Sequence, residues 1–472
     1  MVAIKDILVI VLRIARPITR ASTSASSSVM KHVTTKTERD RLVIEAVVRR
    51  FGPLSRVAIH ELTHLEPSRI SRLVHELLDE GKVLVAGRAD NPMGRKQILL
   101  RLNESHSFVL GVGFDDEKVM AAVMDLKPRI RAMVEEPTRW DGGASGLIAQ
   151  LVACSHSALK QAEVEAARLL GVGLGGSGLM DKRAGMLVMS STVEFLRQAP
   201  LEQIFEREFA VPVTLENLTR AKAVAERILG AGQMAEDMIY VEYGHTGIGA
   251  GIVAGGELVY GSRFAAGEFG HTHMIEDGPA CKCGSFGCLE AIAGASALVT
   301  RMRKAIAEGS GTRALALAGG DPQQISGWTV LKGACKGDKT CLAITEQMAN
   351  YLGLGLANLV NLFNPSVLVL DQRLSLAGES FRDQITKVIK RQALIYSTER
   401  LQVRFGELGD EASVLGVGAV LLEKQFEIPA LKPPRFMIEP LAAAVGRAVR
   451  QPPAPSSSKS SDSVPGGAVR AG

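Results

Sequence analysis

The 472-residue sequence predicts an α/β protein that consists of a small helical head and a larger body with two lobes. Three short amphipathic segments between Thr37 and Glu80, followed by two strand-like segments, predict the head. Apolar strand-like runs that alternate with helical segments from Phe108 onward predict the body. Strand pairs and glycine-rich turns occur in both halves of the body, which favours a two-lobed, actin-like ATPase architecture.

The composition is that of a soluble globular protein, with 46% hydrophobic and 22% charged residues. Six cysteines, three of them in one short segment, do not form a disulfide framework and favour a reducing compartment. The apolar run at residues 7–15 is interrupted by Arg13 and is far shorter than the roughly 20 residues that span a bilayer. We therefore expect no stable membrane insertion.

Changes in composition along the chain predict four regions. Residues 1–35 are expected to be a disordered N-terminal extension, with Met30 as an alternative start. Residues 36–102 form the predicted head, and residues 107–424 form the predicted body. Residues 425–472 are rich in proline and serine and are expected to be a disordered tail.

The distribution of charge separates the head from the body. Residues 31–101 contain fourteen lysines and arginines and nine acidic residues, whereas residues 102–424 carry a net charge of −6. A basic module joined to an acidic body is typical of a nucleic-acid-binding head attached to a domain with another role.

The elements of the head follow from its apolar spacing and its capping residues. A first helix at residues 39–50 stops at Gly52, and Ser55 is a good N-cap for a second. A third helix begins at Pro67 and ends before Gly81, because a helix C-terminus favours a residue that tolerates positive φ. Strands at residues 82–86 and 97–102 complete a β-hairpin wing.

This pattern predicts a winged helix-turn-helix that binds double-stranded DNA, with a small helical bundle for protein contacts as the alternative. Short donors and arginines on the third helix can reach base edges and phosphates in a major groove. Residues at the start of the second helix and in the wing turn are expected near the phosphate backbone. The predicted DNA contacts are Ser55, Arg56, Ser68, Arg69, Ser71, Arg72, His75, Arg95 and Lys96.

In the body, apolar runs and glycine turns predict strands in both halves. A buried strand at residues 108–114 is followed by a hairpin partner at residues 118–126, and residues 169–181 read as a strand and a glycine-rich turn. Residues 238–259 repeat the pattern of strand, glycine-rich turn and strand. A helix, a turn at Asn364-Pro365 and a buried strand follow at residues 352–371.

The segment at residues 266–290 predicts a metal site. It combines three closely spaced thiols with one imidazole, a set typical of closed, tetrahedral structural zinc. The predicted ligands are His271, Cys281, Cys283 and Cys288. His273 is the rival fourth ligand, and a group of buried thiols without a metal is the alternative. Two carboxylates, Glu268 and Glu290, flank the set.

With these motifs, residues 36–424 resemble the ROK family of repressors and sugar kinases. The cysteine segment resembles the zinc signature of the family, and the sequence AGEFGH at residues 266–271 resembles its sugar-contact motif. The head resembles the one found on ROK repressors and absent from ROK kinases. The resemblance implies an actin-like ROK body with a structural Zn²⁺.

The resemblance further implies that the nucleotide side of the body has lost its catalytic groups. The kinases carry an Asp-x-Gly-Gly-Thr phosphate loop where this chain has GFDDE at residues 113–117. Leu218 follows Asn217 at the position of the catalytic Asp, and an aliphatic side chain cannot accept a proton. Asp371, Gln372 and Arg373 replace a Gly-Gly turn, whereas the glycine turn at residues 247–251 is retained. We therefore expect no enzyme activity.

On the sugar side, the resemblance implies contacts from Asn217, Glu268, His271 and Glu290 to a sugar or sugar phosphate. The alternative is that the carboxylates survive only as partners of the zinc ligands. The expected function is a cytoplasmic, nucleoid-associated transcriptional regulator of carbohydrate genes, by resemblance a repressor. It would act as a homodimer or a dimer of dimers. A regulator controlled by a protein partner remains the alternative, with a sugar kinase as the least favoured.

Overall fold

The computed structural model describes residues 35–89, 96–190, 193–245 and 247–426. These residues divide into two compact units, residues 35–102 and residues 103–426. The predicted N-terminal extension, all but its last residue, and nearly all of the predicted tail lie outside the described residues, as does Arg95. Among the described residues, no helix is both long enough and apolar enough to cross a membrane.

The first unit contains three helices followed by an antiparallel hairpin. Its elements are α1 (Lys36–Phe51), α2 (Arg56–Thr63), α3 (Pro67–Asp79), β1 (Val83–Ala89) and β2 (Gln97–Leu102).

Local sequence signals set the ends of these helices. Thr35 and Glu38 form a capping box at the start of α1, and the Ser55 hydroxyl accepts a hydrogen bond from the Ala58 amide at the start of α2. Gly81, with φ of 69°, follows the end of α3 as predicted. The apolar face of α3 is fully buried and consists of Ile70, Leu73, Val74 and Leu77.

The second unit begins with a five-stranded sheet that forms the first lobe. Its elements are β3 (Phe108–Phe114), β4 (Lys118–Met124), β5 (Ile130–Pro137), α4 (Gly143–Gln161), β6 (Leu169–Gly176), β7 (Leu179–Asp181), β8 (Met186–Met189), α5 (Leu201–Phe209), β9 (Val213–Asn217) and α6 (Leu218–Leu229). The sheet order is β5-β4-β3-β6-β9, with β3, β4 and β5 antiparallel and β6 and β9 parallel to β3.

The second lobe repeats this topology. Its elements are β10 (Met238–Tyr243), β11 (Ile248–Ala254), β12 (Glu257–Leu258), α7 (Leu289–Ala293), α8 (Ala295–Ala307), α9 (Arg313–Leu317), α10 (Gly327–Cys335), α11 (Lys339–Phe363), β13 (Val367–Leu370), α12 (Glu379–Gln392), α13 (Ile395–Thr398) and β14 (Gln402–Phe405). The sheet order β12-β11-β10-β13-β14 again joins an antiparallel three-stranded meander to two parallel strands. The repeated topology confirms the prediction of two lobes.

Two helices connect the lobes. The last helix, α14 (Ala412–Gln425), packs on β3 and β6 of the first lobe and on α6. Helix α6 also packs on β10 and β11 of the second lobe, which places its N-terminal residues at the cleft between the sheets. Residues at the N-terminus of α6 are therefore candidates for groups that respond to the angle between the lobes.

Candidate functional site

The predicted metal ligands lie together at the edge of the second lobe. His271, Cys281, Cys283 and Cys288 place one ligand atom each within 4.8 Å of one another. His271 Nδ1 lies 3.6 Å from Cys281 Sγ, and Cys283 Sγ lies 3.8 Å from Cys288 Sγ. Three thiols and an imidazole at these separations suit a tetrahedral metal ion with soft ligands.

The structure distinguishes between the two histidines proposed for this cluster. His273 Nδ1 lies 2.9 Å from the Phe286 carbonyl, and His273 is not part of the four-residue group. The other ring nitrogen of His271, Nε2, lies 4.0 Å from Glu268 Oε2. A carboxylate facing the free nitrogen of a ligating histidine is a frequent arrangement in metal sites, because it orients the ring.

The other predicted sugar contacts, Glu290 and Asn217, are each held by hydrogen bonds to the backbone. Glu290 Oε2 accepts a hydrogen bond of 3.1 Å from the Ile248 amide in β11, so it ties α7 to the central part of the sheet. Asn217 is the N-cap of α6, and its Oδ1 accepts from the Arg220 amide at 3.2 Å. Its Nδ2 donates to the Gly178 carbonyl at 2.9 Å. The amide of Asn217 is thus held by the backbone of its own helix and by that of the segment at Gly178.

A buried charged centre lies directly behind Asn217. Glu216, which is 0% exposed, accepts hydrogen bonds from Arg220 Nε at 2.8 Å, from Lys182 Nζ at 2.9 Å and from the Tyr260 hydroxyl at 3.0 Å. Burial by itself would raise the pKa of Glu216, but Lys182 and Arg220 outweigh it and hold the pKa below its ordinary value.

Arg220 connects this centre to the second lobe. Its Nη1 donates to the Phe264 carbonyl at 3.1 Å and approaches the Ala266 carbonyl at 3.5 Å, just before Glu268. The N-terminus of α6 is therefore fixed to the loop that carries the predicted sugar contacts. Sequence reasoning did not identify Lys182, Arg220 or Tyr260, although the i,i+4 spacing of Glu216 and Arg220 was a usable signal.

A carboxylate closes the turn between β3 and β4, which the resemblance aligned with the kinase phosphate loop. Asp115 Oδ1 accepts from the amides of Glu117 and Lys118, both at 2.9 Å. Burial raises the pKa of Asp115 above its ordinary value. The backbone amides that face a phosphate in a glycine-rich loop are here engaged by the side chain of the turn itself.

The glycines of the retained turn accommodate a helix. A Cβ atom on Gly251 would lie 2.4 Å from Ala223 Cβ, so β11 needs a glycine there because α6 packs directly on the strand. This contact gives the turn at residues 247–251 a packing role. A glycine-rich hairpin alone is therefore weak evidence for a phosphate site, because its glycines can instead be required for close packing.

Ion pairs connect the two lobes across the same side of the cleft. Arg373 Nη2, which follows β13 in the second lobe, lies 3.3 Å from Glu117 Oε2 in the first lobe and 2.9 Å from Asp410 Oδ1. Lys118 pairs with Asp410 and also with Glu135, the latter at 3.1 Å. We call these five residues the interlobe clamp.

A second buried pair lies deeper in the cleft. Lys222 Nζ of α6 lies 2.6 Å from Glu242 Oε1 of β10, and the Thr219 hydroxyl donates to the same carboxylate. Burial alone would raise the pKa of Glu242, but Lys222 outweighs it and holds the pKa below its ordinary value. Trp328 lies beside Arg373, with the guanidinium carbon 5.4 Å from the ring centroid.

In the first unit, the predicted DNA contacts fall into two groups. Ser68, Ser71, Arg72 and His75 are exposed on α3, and Lys96 is exposed at the start of β2. Arg72 Nη1 lies 3.3 Å from Glu76 Oε1, and His75 Nε2 lies 3.5 Å from Asp79 Oδ2.

The second group is engaged within the unit. Arg69 Nε lies 2.5 Å from Asp40 Oδ2 on α1, so its guanidinium is turned toward the neighbouring helix. Ser55 is only 2% exposed and caps α2, which leaves its hydroxyl inside the unit. Arg56 is half-buried at the first position of α2. The sequence did not indicate Asp40 as the partner of Arg69, because the two residues meet only when α1 and α3 pack.

A sequence profile of the ROK family matches residues 109–425. The chain belongs to the ROK family. The xylose repressor of Caldicellulosiruptor bescii is 28% identical over 378 residues, which cover 80% of this chain and 93% of the repressor. The glucokinase of Halalkalibacterium halodurans is 28% identical over 322 residues, which cover 68% of this chain and 97% of the kinase.

The fold of this ROK protein also matches solved structures. A ROK family transcriptional regulator, described as a homolog of the E. coli MLC protein, superimposes with a TM-score of 0.72 and 22% identity. The match covers 83% of this chain and 96% of that regulator. At this identity the likeness shows the fold alone. The ROK kinases and regulators share the body, so the function of this chain depends on what is added to the body and on what occupies its cleft.

Proposed function

We propose that this chain is a DNA-binding transcriptional regulator of carbohydrate genes, with repression as its action, and that its ROK body senses a sugar or sugar phosphate. The main support for the proposal is a basic unit of three helices and a hairpin that precedes the ROK body in the sequence. The aligned length of the xylose repressor, 378 residues, exceeds the ROK match at residues 109–425, whereas the glucokinase alignment of 322 residues is about as long as that match.

In this proposal the first unit is a winged helix-turn-helix. Helix α3 enters the major groove with Ser68, Ser71, Arg72 and His75, which are exposed on one face. Arg56 and Lys96 contact phosphates, as does Arg95, which lies outside the described residues. Arg69 and Ser55 contribute by holding α3 and α2 in place, through the pair with Asp40 and the cap on Ala58.

The metal cluster is proposed to hold a structural Zn²⁺ on His271, Cys281, Cys283 and Cys288. The donor set of three thiolates and one imidazole leaves no open position for substrate chemistry. When bound, the ion would fix the loop that carries Glu268 and the start of α7 that carries Glu290. These carboxylates, with Asn217 and His271, are the proposed hydrogen-bond partners of the hydroxyl groups of an effector.

We further propose that the body is not a kinase. Leu218 is 3% exposed and packs toward Gly175, so no carboxylate is available at this position to take a proton from a sugar hydroxyl. Asp115 engages the amides of the phosphate turn, and the interlobe clamp places Glu117 and Asp410 where phosphates would carry negative charge.

Selection of genomic DNA fragments by the full-length, zinc-loaded protein tests the proposed function. We expect enrichment of palindromic sites near carbohydrate genes and a change in occupancy when the cognate sugar or sugar phosphate is added. An Arg72→Ala variant serves as the control for DNA contact through α3. If no sequence is enriched, or if the purified protein phosphorylates a sugar with ATP, the proposal is wrong.

A further inference from the structure

The Glu216 carboxylate joins three segments of the body. Its Oε1 accepts hydrogen bonds from Arg220 Nε at 2.8 Å and from the Asn217 amide at 2.9 Å, both at the start of α6. Its Oε2 accepts from Lys182 Nζ, in the turn after β7, at 2.9 Å and from the Tyr260 hydroxyl, after β12, at 3.0 Å. A carboxylate offers about four lone-pair sites, so these donors saturate it. The position of each segment therefore depends on the other two.

Two of these segments carry predicted effector contacts. Asn217 is the N-cap of α6. Tyr260 precedes Glu268 by eight positions in the sequence. Between these two residues, the Phe264 carbonyl accepts a hydrogen bond of 3.1 Å from Arg220 Nη1, so the segment is tied to α6 at a second point. The hydrogen bonds of one buried centre thus constrain a contact from the first lobe and a contact from the second.

Tyr260 brings the second lobe to this centre. Its ring lies between two cations, with Lys182 Nζ 4.3 Å and the Arg220 guanidinium carbon 5.4 Å from the ring centroid. Lys182 Nζ also donates to the Tyr260 hydroxyl at 3.0 Å. Burial raises the pKa of the Tyr260 hydroxyl, so it is protonated and donates to Glu216 at neutral pH. The ring is held by packing, and the hydroxyl supplies the directional bond between the lobes.

We propose that Tyr260 and Lys182 are positioning residues for the effector, which hold the predicted contacts in their binding geometry through Glu216. The inference rests on the proposed function, because the effector contacts belong to it. Tyr260 links the second lobe to Glu216, and Lys182 links the turn after β7 to it, so neither side chain needs to touch the effector. Contacts that are already in place bind more tightly, because less freedom is lost when the ligand arrives.

Calorimetry of the full-length, zinc-loaded chain with D-glucose, D-xylose and D-glucose 6-phosphate tests the proposal. Tyr260→Phe keeps the ring and removes the hydroxyl. We expect it to raise the Kd of a sugar that the wild type binds by roughly 10-fold, the scale of one hydrogen bond to a charged group. The zinc content should not change. Lys182→Met should also weaken binding, and Lys182→Arg should recover most of the affinity, because it restores a cation beside Glu216.

Tyr240→Phe is the matched control. The Tyr240 hydroxyl is also buried and donates to a carboxylate, Asp371 Oδ2, at 2.8 Å, but both residues belong to the second lobe. This variant should lose thermal stability about as much as Tyr260→Phe does and keep the Kd of the wild type. A Kd of Tyr260→Phe equal to that of the wild type overturns the proposal, as does an equal loss of affinity in the two tyrosine variants.

The outcomes separate this inference from the proposed function. If the wild type selects DNA sites and binds one of the three sugars while Tyr260→Phe binds it equally well, only the positioning role is wrong. If the wild type binds none of the three sugars, the positioning role is wrong together with sugar sensing, whereas selection of DNA still tests the regulator.

Discussion

Leu218 packs into a space that a glycine on the neighbouring strand β6 leaves open. A Cβ atom on Gly175 would lie 2.7 Å from both Leu218 Cδ2 and Val417 Cγ1. The first turn of α6 can therefore approach β6 closely, and the apolar side chain fills the base of the cleft. Leu218 is thus part of the packing between α6, β6 and α14.

Gly175→Ala is expected to destabilise the body by about 1–3 kcal/mol, because the added methyl group overpacks a closed contact. Urea unfolding followed by tryptophan fluorescence measures this selectively, since the only two tryptophans, Trp140 and Trp328, both lie in the body. Gly146→Ala is the control. A Cβ at Gly146 in α4 has no neighbour within 4 Å, so this change should be neutral or stabilising by up to about 1 kcal/mol. Equal effects of the two changes would contradict the packing argument.

Cys283→Ala is expected to lower the bound zinc from one ion to none per chain and to weaken the response of DNA binding to sugar. The physical reason is that three remaining ligands bind a structural ion far less tightly than four. Metal analysis of the purified chain and calorimetry with sugars provide the readouts. Cys335→Ala, which removes an exposed thiol outside the cluster, should change neither. Retention of one tightly bound zinc ion by the Cys283 variant would exclude the proposed ligand set.

Arg72→Ala is expected to weaken operator binding by about 1–3 kcal/mol and to relax sequence preference at one base position. Arg39→Ala removes one positive charge from an exposed position on α1 of the same unit. It should weaken binding slightly and equally for all sequences. Titration of operator and scrambled DNA with both variants at fixed salt separates the two effects. If both variants lose the same operator affinity and the same sequence preference, α3 does not bind in the major groove.

At the scale of secondary-structure elements, the interlobe clamp joins the β3–β4 turn to the segments after β13 and before α14. Arg373 is central, because its guanidinium faces both Glu117 and Asp410. The pairs surround a cavity of about 430 Å³ whose lining also includes Trp328 and Pro137. Because the partners belong to different lobes, the clamp contributes to the resting angle of the cleft.

A double-mutant cycle of Glu117→Gln and Arg373→Gln is expected to give a coupling of about 0.5–2 kcal/mol, which decreases as salt is raised. Arg373→Gln alone should lower the free energy of unfolding more than Glu117→Gln does, because it also removes the cation that pairs with Asp410. The fluorescence of Trp328 beside Arg373 follows the transition. The exposed pair Lys304–Glu308 is the control and should couple by about 0.5 kcal/mol or less. Coupling no larger than that of the control would mean that the clamp does not hold the lobes.

At the scale of the whole molecule, two carboxylates that pair with cations, Glu216 and Asp410, make stability depend on pH. Lys182 and Arg220 hold the pKa of Glu216 below its ordinary value, so the ionised carboxylate stabilises the folded state above the ordinary pKa of a glutamate. The contribution is lost as the pH falls through the lowered pKa of the folded state. Asp410 contributes with the same sign, because Lys118 and Arg373 outweigh the effect of burial and lower its pKa.

Glu216→Gln is therefore expected to be strongly destabilising at pH 7, since it leaves Lys182 and Arg220 without their shared carboxylate. The difference in unfolding free energy from the wild type should shrink as the pH falls below the ordinary pKa of a glutamate and through the lowered pKa of Glu216, where the wild-type carboxylate becomes protonated. Tryptophan fluorescence at a series of pH values measures this difference. Glu308→Gln, an exposed and solvated position, should show no such trend. A constant difference across the range would show that the charge of Glu216 is not what stabilises the cleft.

Features that depend on neighbours in the chain could be predicted from the amino-acid sequence. In each of these features the participating residues are close in the sequence. They are the caps of α1 and α2, the turn at Gly81, the hairpin strands of both lobes and the predicted metal ligands. Their pattern is set by local backbone preferences and by apolar spacing. His271 and Cys288 are only 17 positions apart, and so the cluster of three thiols and one imidazole could be predicted before the fold.

Contacts between side chains that are distant in the sequence could be identified only from the tertiary structure. Glu117 and Arg373 are 256 positions apart, and Lys118 and Asp410 are 292 positions apart. Arg69, predicted to face DNA, turns instead toward Asp40 because α1 and α3 pack side by side. An ion pair between two elements depends on their relative position, which is set by burial of the whole core and not by the local pattern around either residue.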